Sequence, residues 1–511
     1  MVENNSSENK KAQEELEDSK VVDKKESSEE MSRVTRYFCA AAHLNSDFRK
    51  QFINQIVNEK WKSIPPYYGV DLLAVAKHCF MARKRKIIRD ILLFVIFLLT
   101  FKFAFGGFRT IGLMLQYETF FIPNPGALFL FYMISLVIVF LEQWKGKYKI
   151  VARKLSEKNL SSVEYQMDKD IENKINSISE KESNVIIFGG YSPFVGAGID
   201  IGGWSFAINT NKGKEEVGKI CEPKTFEANE MYKFISEKLE KIQIGKVVIK
   251  DILCVNGQEL REDTRFLANP YTKPYNRVEQ EIIEKYIGIA DENIRHYECI
   301  RIHSWKDELI LSIFFRITKI NQNLFIETRF FLLTPLNDLY SQIDNILAYP
   351  TFKIRMAELQ ASAFISIFLL AFSPFIIASY IFSPLSRWSS NRAIRKLIKN
   401  NLNFNYGAIT NLRESQSSAV YKKYFQKLDK DMHMKIFEKQ LLDYIVQFLD
   451  SKNIDTSELK ERQTTILNNG VILSGGAIKT ESFAVGEKAK SVFKRFGSGM
   501  RTPKQSKNKE D

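Results

Sequence analysis

Three apolar blocks, residues 87–105, 127–141 and 361–382, interrupt an otherwise polar chain, and any fold must shelter each of them from water. The first is nineteen residues long, which at ~1.5 Å per residue crosses most of a ~30 Å hydrocarbon core. The second is shorter, but Phe120 and Phe121 before it and Trp144 after it suit an interfacial aromatic belt. Basic residues crowd the outer flanks, Arg83 to Lys86 with Arg89 on one side and Lys145, Lys147, Lys149, Arg153 and Lys154 on the other, while the connecting loop carries only Arg109. The positive-inside rule therefore places both flanks in the cytosol. Lys102, inside the first block, reads as a snorkelling residue near the outer interface. The third block has 22 residues and contains Ser373-Pro374, so it can span, kink, or dip in and return. Its length favours a single crossing. The basic residues Arg387, Arg392, Arg395, Lys396 and Lys399 after it favour keeping the following tail inside.

The mean hydropathy of -0.21 hides this uneven distribution. Five cysteines, Cys39, Cys79, Cys221, Cys254 and Cys299, form no C-x-x-C pair and fit free thiols in a reducing compartment. The polar N-terminus has no apolar core followed by a small-residue cleavage site, so no cleaved signal peptide is expected. Residues 384–511 hold 24 Lys+Arg against 13 Asp+Glu, which is +11 of the chain's +14. Beside a membrane segment such charge suits anionic lipid headgroups. It is not interleaved into a nucleic-acid-binding module.

The expected organisation is a disordered tail (1–31), a cytosolic helical segment (32–86) and a transmembrane hairpin (87–142). A cytosolic α+β domain (150–350) follows, then a third membrane segment (357–384), an amphipathic helical region (385–468) and a β-prone motif with a basic tail (469–511). Ser32, Asp47 and Asp71 are expected N-caps in the first helical segment. Within the domain, strand-like runs near 297–305, 308–317 and 324–333 are joined by Lys306-Asp307 and Asn321-Gln322-Asn323. Joints that short predict an antiparallel meander, and the fold class is α+β with helices covering an antiparallel sheet.

No motif names a reaction. The glycine-rich stretch from Gly189 to Gly203 follows a strand and offers Tyr191, Pro193, Phe194, Gly196, Gly198 and Trp204 as a ligand or partner loop. Phosphate-cradling loops need a helix N-terminus after the glycines; here a strand follows, Gly-Lys-[Ser/Thr] is missing, and Ile201 stands where a dinucleotide loop has its third glycine. A structural turn is the simpler reading. The five histidines form no H-E-x-x-H or H-x-x-x-H pattern, so no metal and no cofactor is expected, and His78 beside Cys79 reads as packing. Residues 467–486 hold three short β-prone pieces, a candidate for self-association or a protein partner. Phe483-Ala-Val-Gly486 resembles the apolar-x-Val-Gly core of amyloid-type signalling motifs, with Ala484 where Gln is usual.

Thr35-Arg-Tyr-Phe-Cys-Ala-Ala-Ala-His-Leu44, the Tyr191 to Gly198 loop with Trp204-Ser-Phe206, Ser304-Trp-Lys-Asp-Glu-Leu309, and Asn323-Leu-Phe-Ile-Glu327 with Leu333-Thr-Pro-Leu336 together resemble a group of uncharacterised multipass membrane proteins of bacteria, common in actinomycetes. The resemblance runs from about residue 32 to 350. It implies a bacterial cytoplasmic membrane protein and no particular activity. The expected function is to present a cytosolic module for binding, assembly or signalling. The alternatives are a membrane-associated enzyme acting on a lipid headgroup or nucleotide at the glycine-rich loop, and a small oligomeric pore.

Overall fold

The structure is a computed structural model that describes residues 31–104, 106, 124–156, 165–216, 219–242, 244–461 and 463. The expected tail before residue 31, most of the loop between the first two apolar blocks, and the 467–486 motif lie outside the described residues.

Local capping sets the first helices. The Ser32 hydroxyl accepts from Thr35 N–H to start α1 (Arg33–Leu44). Asn45, rather than the expected Asp47, starts α2 (Ser46–Phe52) by accepting from the N–H groups of Asp47 and Phe48. Asp71 Oδ1 accepts from Ala74 N–H at 3.0 Å at the head of α3 (Leu72–Ala104), a 33-residue helix that runs unbroken into the first apolar block. Its first half buries Val75, Ala76 and Cys79 in a cluster with α1 and α2, whereas Ile91, Leu92, Val95, Leu98 and Phe103 beyond Asp90 are exposed. Asn124 N–H donates to Ala104 O at 3.0 Å, so α4 (Pro125–Trp144) begins at the tip of α3 and returns beside it. It continues as a π-helical stretch, Lys145–Lys154, and a short helix, α5 (Lys169–Ser177), leads into the sheet.

The sheet comprises β1 (Val185–Phe188), β2 (Ile199–Asn209), β5 (Lys246–Asn256), β6 (Ile294–Ser304), β7 (Leu309–Ile320) and β8 (Asn323–Leu333), in the order β1-β5-β6-β7-β8-β2. β3 (Glu215–Glu216) and β4 (Lys219–Ile220) form a separate small hairpin. β6, β7 and β8 pair antiparallel as their short joints predict, β5 pairs antiparallel with β6 across the long connection 257–293, and β2 pairs antiparallel with β8. The expectation of a purely antiparallel sheet needs correction, because β1 pairs parallel with β5, Val185 standing opposite Leu253. A parallel pair needs a long crossover, and residues 189–245, with β2 and α6 (Ala228–Leu239), supply it. One sheet face carries Ile313, Phe315, Leu324 and Ile326 beneath α6; the other packs Phe314 and Phe331 against the glycine-rich loop.

The third apolar block forms two helices, α7 (Phe352–Ala371) and α8 (Ser373–Asn400), separated at Phe372. Near its base, Glu358 of α7 bonds Lys147 and Tyr148, and Ser362 Oγ lies 3.2 Å from Gln143 Oε1. Were α8 to continue straight, Tyr380 would sit ~27 Å beyond Ser362. Instead its hydroxyl donates to Asp90 Oδ2 at 2.5 Å, next to Arg89, which pairs with Glu142. The chain therefore turns back at Phe372. At its far end Ile398 is fully buried, and Arg261 donates to the carbonyls of Ile398 and Asn401. Finally α9 (Tyr424–Ser451) lays Phe437, Leu441, Ile445 and Leu449 over the same sheet face as α6. The apolar clusters thus run across the expected boundaries at residues 150 and 350, joining 34–79 with 151–178, and 185–294 with 398–406.

One buried acid tests this packing. Glu298 of β6 stands opposite Asp251 of β5, is 3% exposed, and is bonded by Ser236 of α6. Burial, opposed by the Ser236 bond and reinforced by Asp251 and Glu240, raises its pKa to about 8. Because folding raises this pKa, the group's contribution is complete below the unfolded carboxyl value and is lost as pH rises through about 8. Glu298→Gln is expected to match the parent protein at pH 4. At pH 8 thermal melting should find the variant more stable by about 2 °C or more, the shift that roughly 1 kcal/mol gives a domain of this size.

Candidate functional site

The glycine-rich loop is filled by the chain itself. Gly196 N–H donates to Glu414 Oε2 at 3.0 Å, and the Gly198 amide favours the charged form of that carboxylate. Both glycines lie at positive φ, +92° and +99°, and a Cβ at Gly198 would stand 2.3 Å from Leu332 O. Burial of the Glu414 carboxyl raises its pKa despite these donors. Of the other residues singled out here, Tyr191 is fully exposed beside Pro193, while Phe194 is buried among Tyr297, Phe314 and Phe331. Trp204 is buried on the opposite sheet face, stacked on Phe206 at 5.1 Å. The loop residues do not converge on one cleft. The inward-turned N–H donors bind an anion, and that anion is Glu414, more than two hundred positions away in sequence.

A second arrangement, which sequence reasoning missed, lies where the apolar helices meet the rest of the fold. Glu142 of α4 accepts from Arg85 Nε at 2.7 Å and Arg89 Nη1 at 3.2 Å, both on α3, and Arg89 Nη2 lies 2.7 Å from Asp90 Oδ1. Tyr380 of α8 closes the set through Asp90. Arg85 Nη1 is 3.1 Å from His43 Nδ1, and His43 Nε2 is 2.9 Å from His78 Nδ1. His78 is therefore a hydrogen-bonded link rather than mere packing. Burial lowers the pKa of His78 to about 4; burial, His78 and the nearby cations lower that of His43, so both rings are neutral at pH 7. Lys86 stands among Arg49, Arg85 and Arg89 and has no ion-pair partner among the described residues. Cations outnumber the carboxylates of Asp90 and Glu142, so the cluster carries an excess of positive charge at the foot of the apolar helices. The sequence held one signal of this: Asp90 and Glu142 are carboxylates at the edges of apolar blocks, where an unpaired charge is costly.

Among the described residues no group of three or more His, Cys, Asp or Glu side chains could hold a metal ion. His303 bonds Asp307 at 2.8 Å and stands 3.4 Å from Glu180 Oε1, whose other oxygen accepts from Gly69 N–H. Burial alone would raise Glu180, but His303, Arg301 and the Gly69 amide hold it at about 2. This network pins the Gly69 turn to β6 and is structural.

A family model described as an AbeC-like domain matches residues 203–479, more than half of the chain. The match begins in β2 and extends past α9, so it takes in the C-terminal region that the sequence resemblance leaves out and omits the N-terminal helices. No curated protein and no solved structure matches the chain.

Two substitutions check the arrangement. Gly198→Val should lower the melting temperature sharply, because a β-branched residue disfavours positive φ and its Cβ would meet Leu332 O. Glu142→Ala leaves Arg85 and Arg89 without their shared partner, and is expected to cost about 3–5 kcal/mol in detergent-solubilised protein, the usual penalty for breaking a buried pair from one side. Unchanged melting in either variant would contradict the contacts described.

Proposed function

The chain belongs to the AbeC-like domain family, and from that premise we propose that it is a bacterial inner-membrane protein that displays an α+β module on the cytosolic face for binding and assembly. The observation carrying this reading is the pair of helical hairpins, α3–α4 and α7–α8, with apolar outer surfaces above a belt of cations. Two helices, Pro125–Lys154 and Phe352–Ala371, are long and apolar enough to cross a membrane. The apolar part of α3 is of similar length but carries Arg89, Asp90 and Lys102, and it pairs with α4 along its whole exposed stretch. On this reading α3 and α4 cross the bilayer. The α7–α8 hairpin, rising ~20 Å from Glu358 to Ala371, is shorter than a ~30 Å core and turns within it. Both hairpins return to one side, so the N-terminal helices, the sheet and α9 share the cytosol.

The loop donors being occupied by Glu414 supports a binding role over the enzymatic alternative at that loop. The excess of positive charge at the hairpin base suits anionic headgroups of the inner leaflet.

Single cysteines introduced into a variant with all five native cysteines replaced by alanine test the topology. In intact cells a membrane-impermeant thiol reagent should label Thr110→Cys and leave Leu339→Cys and Lys423→Cys unmodified until the cells are opened. Labelling at 339 or 423 in intact cells would overturn the arrangement. Purified full-length protein incubated with nucleotides and phospholipids should give no turnover; specific product formation would overturn the binding role.

A further inference from the structure

Two cations at the foot of the apolar helices carry donors that the described chain leaves unused. Arg85 and Arg89 are engaged by Glu142 and Asp90, and Arg85 is also held flat against α4, since a Cβ at Gly146 would stand 2.5 Å from its Nη2. Arg49 of α2 is 7% exposed and donates from Nη1 to Ala42 O at 2.8 Å; its side chain makes no other bond among the described residues. The Lys86 ammonium makes none at all among them. Burial first, and then Arg49, Arg89 and Arg85, lower the Lys86 pKa to about 8 against the pull of Glu142. His43 and His78 are neutral, so four cations face two carboxylates. An ammonium half buried among guanidinium groups destabilises the fold until an anion joins it.

The position of Lys86 indicates which anion. Cys79, Ala82, Lys86 and Asp90 follow one another at three- and four-residue steps along one face of α3. On that face the cover changes: Cys79 packs in the cluster with α1 and α2, whereas Asp90, one turn beyond Lys86, is reached by Tyr380 of α8. Lys86 is also the last residue before the first apolar block. The turns of α8 that follow Tyr380 expose Ile381, Phe382, Leu385 and Trp388, with the Arg392 guanidinium 5.4 Å from the Trp388 ring centre. Apolar side chains giving way to Trp and Arg mark the level where hydrocarbon meets headgroups. A free anion needs cations alone. A phospholipid needs cations for its phosphate and apolar surface for its chains, and both are present here.

We propose that Lys86 and Arg49 together bind the phosphate of one anionic inner-leaflet phospholipid, whose acyl chains lie along the exposed apolar surface of α8. This rests on the placing of both hairpin bases at the cytosolic leaflet, and adds to it a site for a single lipid in place of a diffuse attraction. Arg85 and Arg89, already paired, contribute charge to the site and no hydrogen bond.

Binding of phosphatidylglycerol to the full-length protein in uncharged detergent micelles, counted by native mass spectrometry, tests this. The first lipid bound should be held about tenfold more weakly by Lys86→Gln than by Lys84→Gln, which removes the same charge from an exposed neighbour. In micelles with phosphatidylcholine, whose headgroup has no net charge, Lys86→Gln should melt no lower than the parent protein, because it lacks an unpaired cation; phosphatidylglycerol should then raise the melting temperature of the parent more than that of the variant. Equal weakening in the two variants would overturn the site in favour of diffuse attraction, while the cysteine labels at 339 and 423 report separately on the topology it rests on. Melting of Lys86→Gln below the parent in phosphatidylcholine would overturn it too, by showing the lysine to be structural. So would displacement of the lipid by inorganic phosphate at constant ionic strength, because the site would then take a free anion.

Discussion

Ala408 O accepts from Gly189 N–H at 2.7 Å and Ala408 N–H donates to Ile187 O at 2.9 Å, while Tyr406 N–H donates to Gly257 O and Gly257 N–H to Phe188 O. This seam is made of backbone. A Cβ at Gly407 would stand 2.1 Å from the Phe188 carbonyl carbon, and one at Gly257 would stand 2.3 Å from Gly407 N. Three glycines, 189, 257 and 407, thus let three stretches of chain approach closer than any side chain permits. The placing of residues 404–414 depends on that approach. It seats Phe404 and Tyr406 in the cluster with Phe266 and Leu267, and carries Glu414 to the glycine-rich loop.

The same seam fixes what the two hairpins can do. The α7–α8 excursion leaves the soluble layer after the sheet is complete and must end where residue 398 can be buried. Its geometry is therefore set from both ends, by Glu358 against Lys147 and Tyr148 and by Ile398 with Arg261. Between them Tyr380 fastens α8 to Asp90 of α3. Helices from four parts of the sequence share one charged base, and the buried Arg413, bonded to Glu308 O and Ser417, ties that layer to the β6–β7 turn. At this turn Trp305, Lys306 and Asp307 all adopt left-handed φ, held by the Arg33 N–H bond to Lys306 O and the Trp305 indole bond to Asp429.

Much of this was legible where local chemistry decides structure. The β6–β7–β8 meander follows from strands joined by four and two residues, and Ser32 and Asp71 cap their helices because a short oxygen-bearing side chain stands just before an apolar run. The glycines at 196 and 198 announced unusual backbone. Contacts between distant segments were not legible. The turn at Phe372 follows the Ser373-Pro374 signal, but its direction is decided by Tyr380 finding Asp90 across 290 positions. The parallel β1–β5 pair depends on a crossover whose course no local pattern records. Glu414 looked like one more surface carboxylate in a basic region, and only the fold brings it to the Gly196 N–H, which needs an acceptor.

The return at Phe372 also has a consequence in time. A ribosome delivers β8 roughly 100 residues before the middle of α9, a gap on the order of ten seconds at typical rates of synthesis. Throughout that interval Ile313, Phe315, Leu324 and Ile326 lack the cover that α9 brings, and the β1 edge waits for Ala408. The missing pieces lie beyond the α7–α8 hairpin, which must fold back at Phe372 before they can reach the sheet. Completion of the sheet's cover is therefore subordinate to that return: a chain whose α7–α8 hairpin fails to fold back exposes an apolar face and an unpaired edge together, the pairing that quality-control proteases and aggregation both exploit.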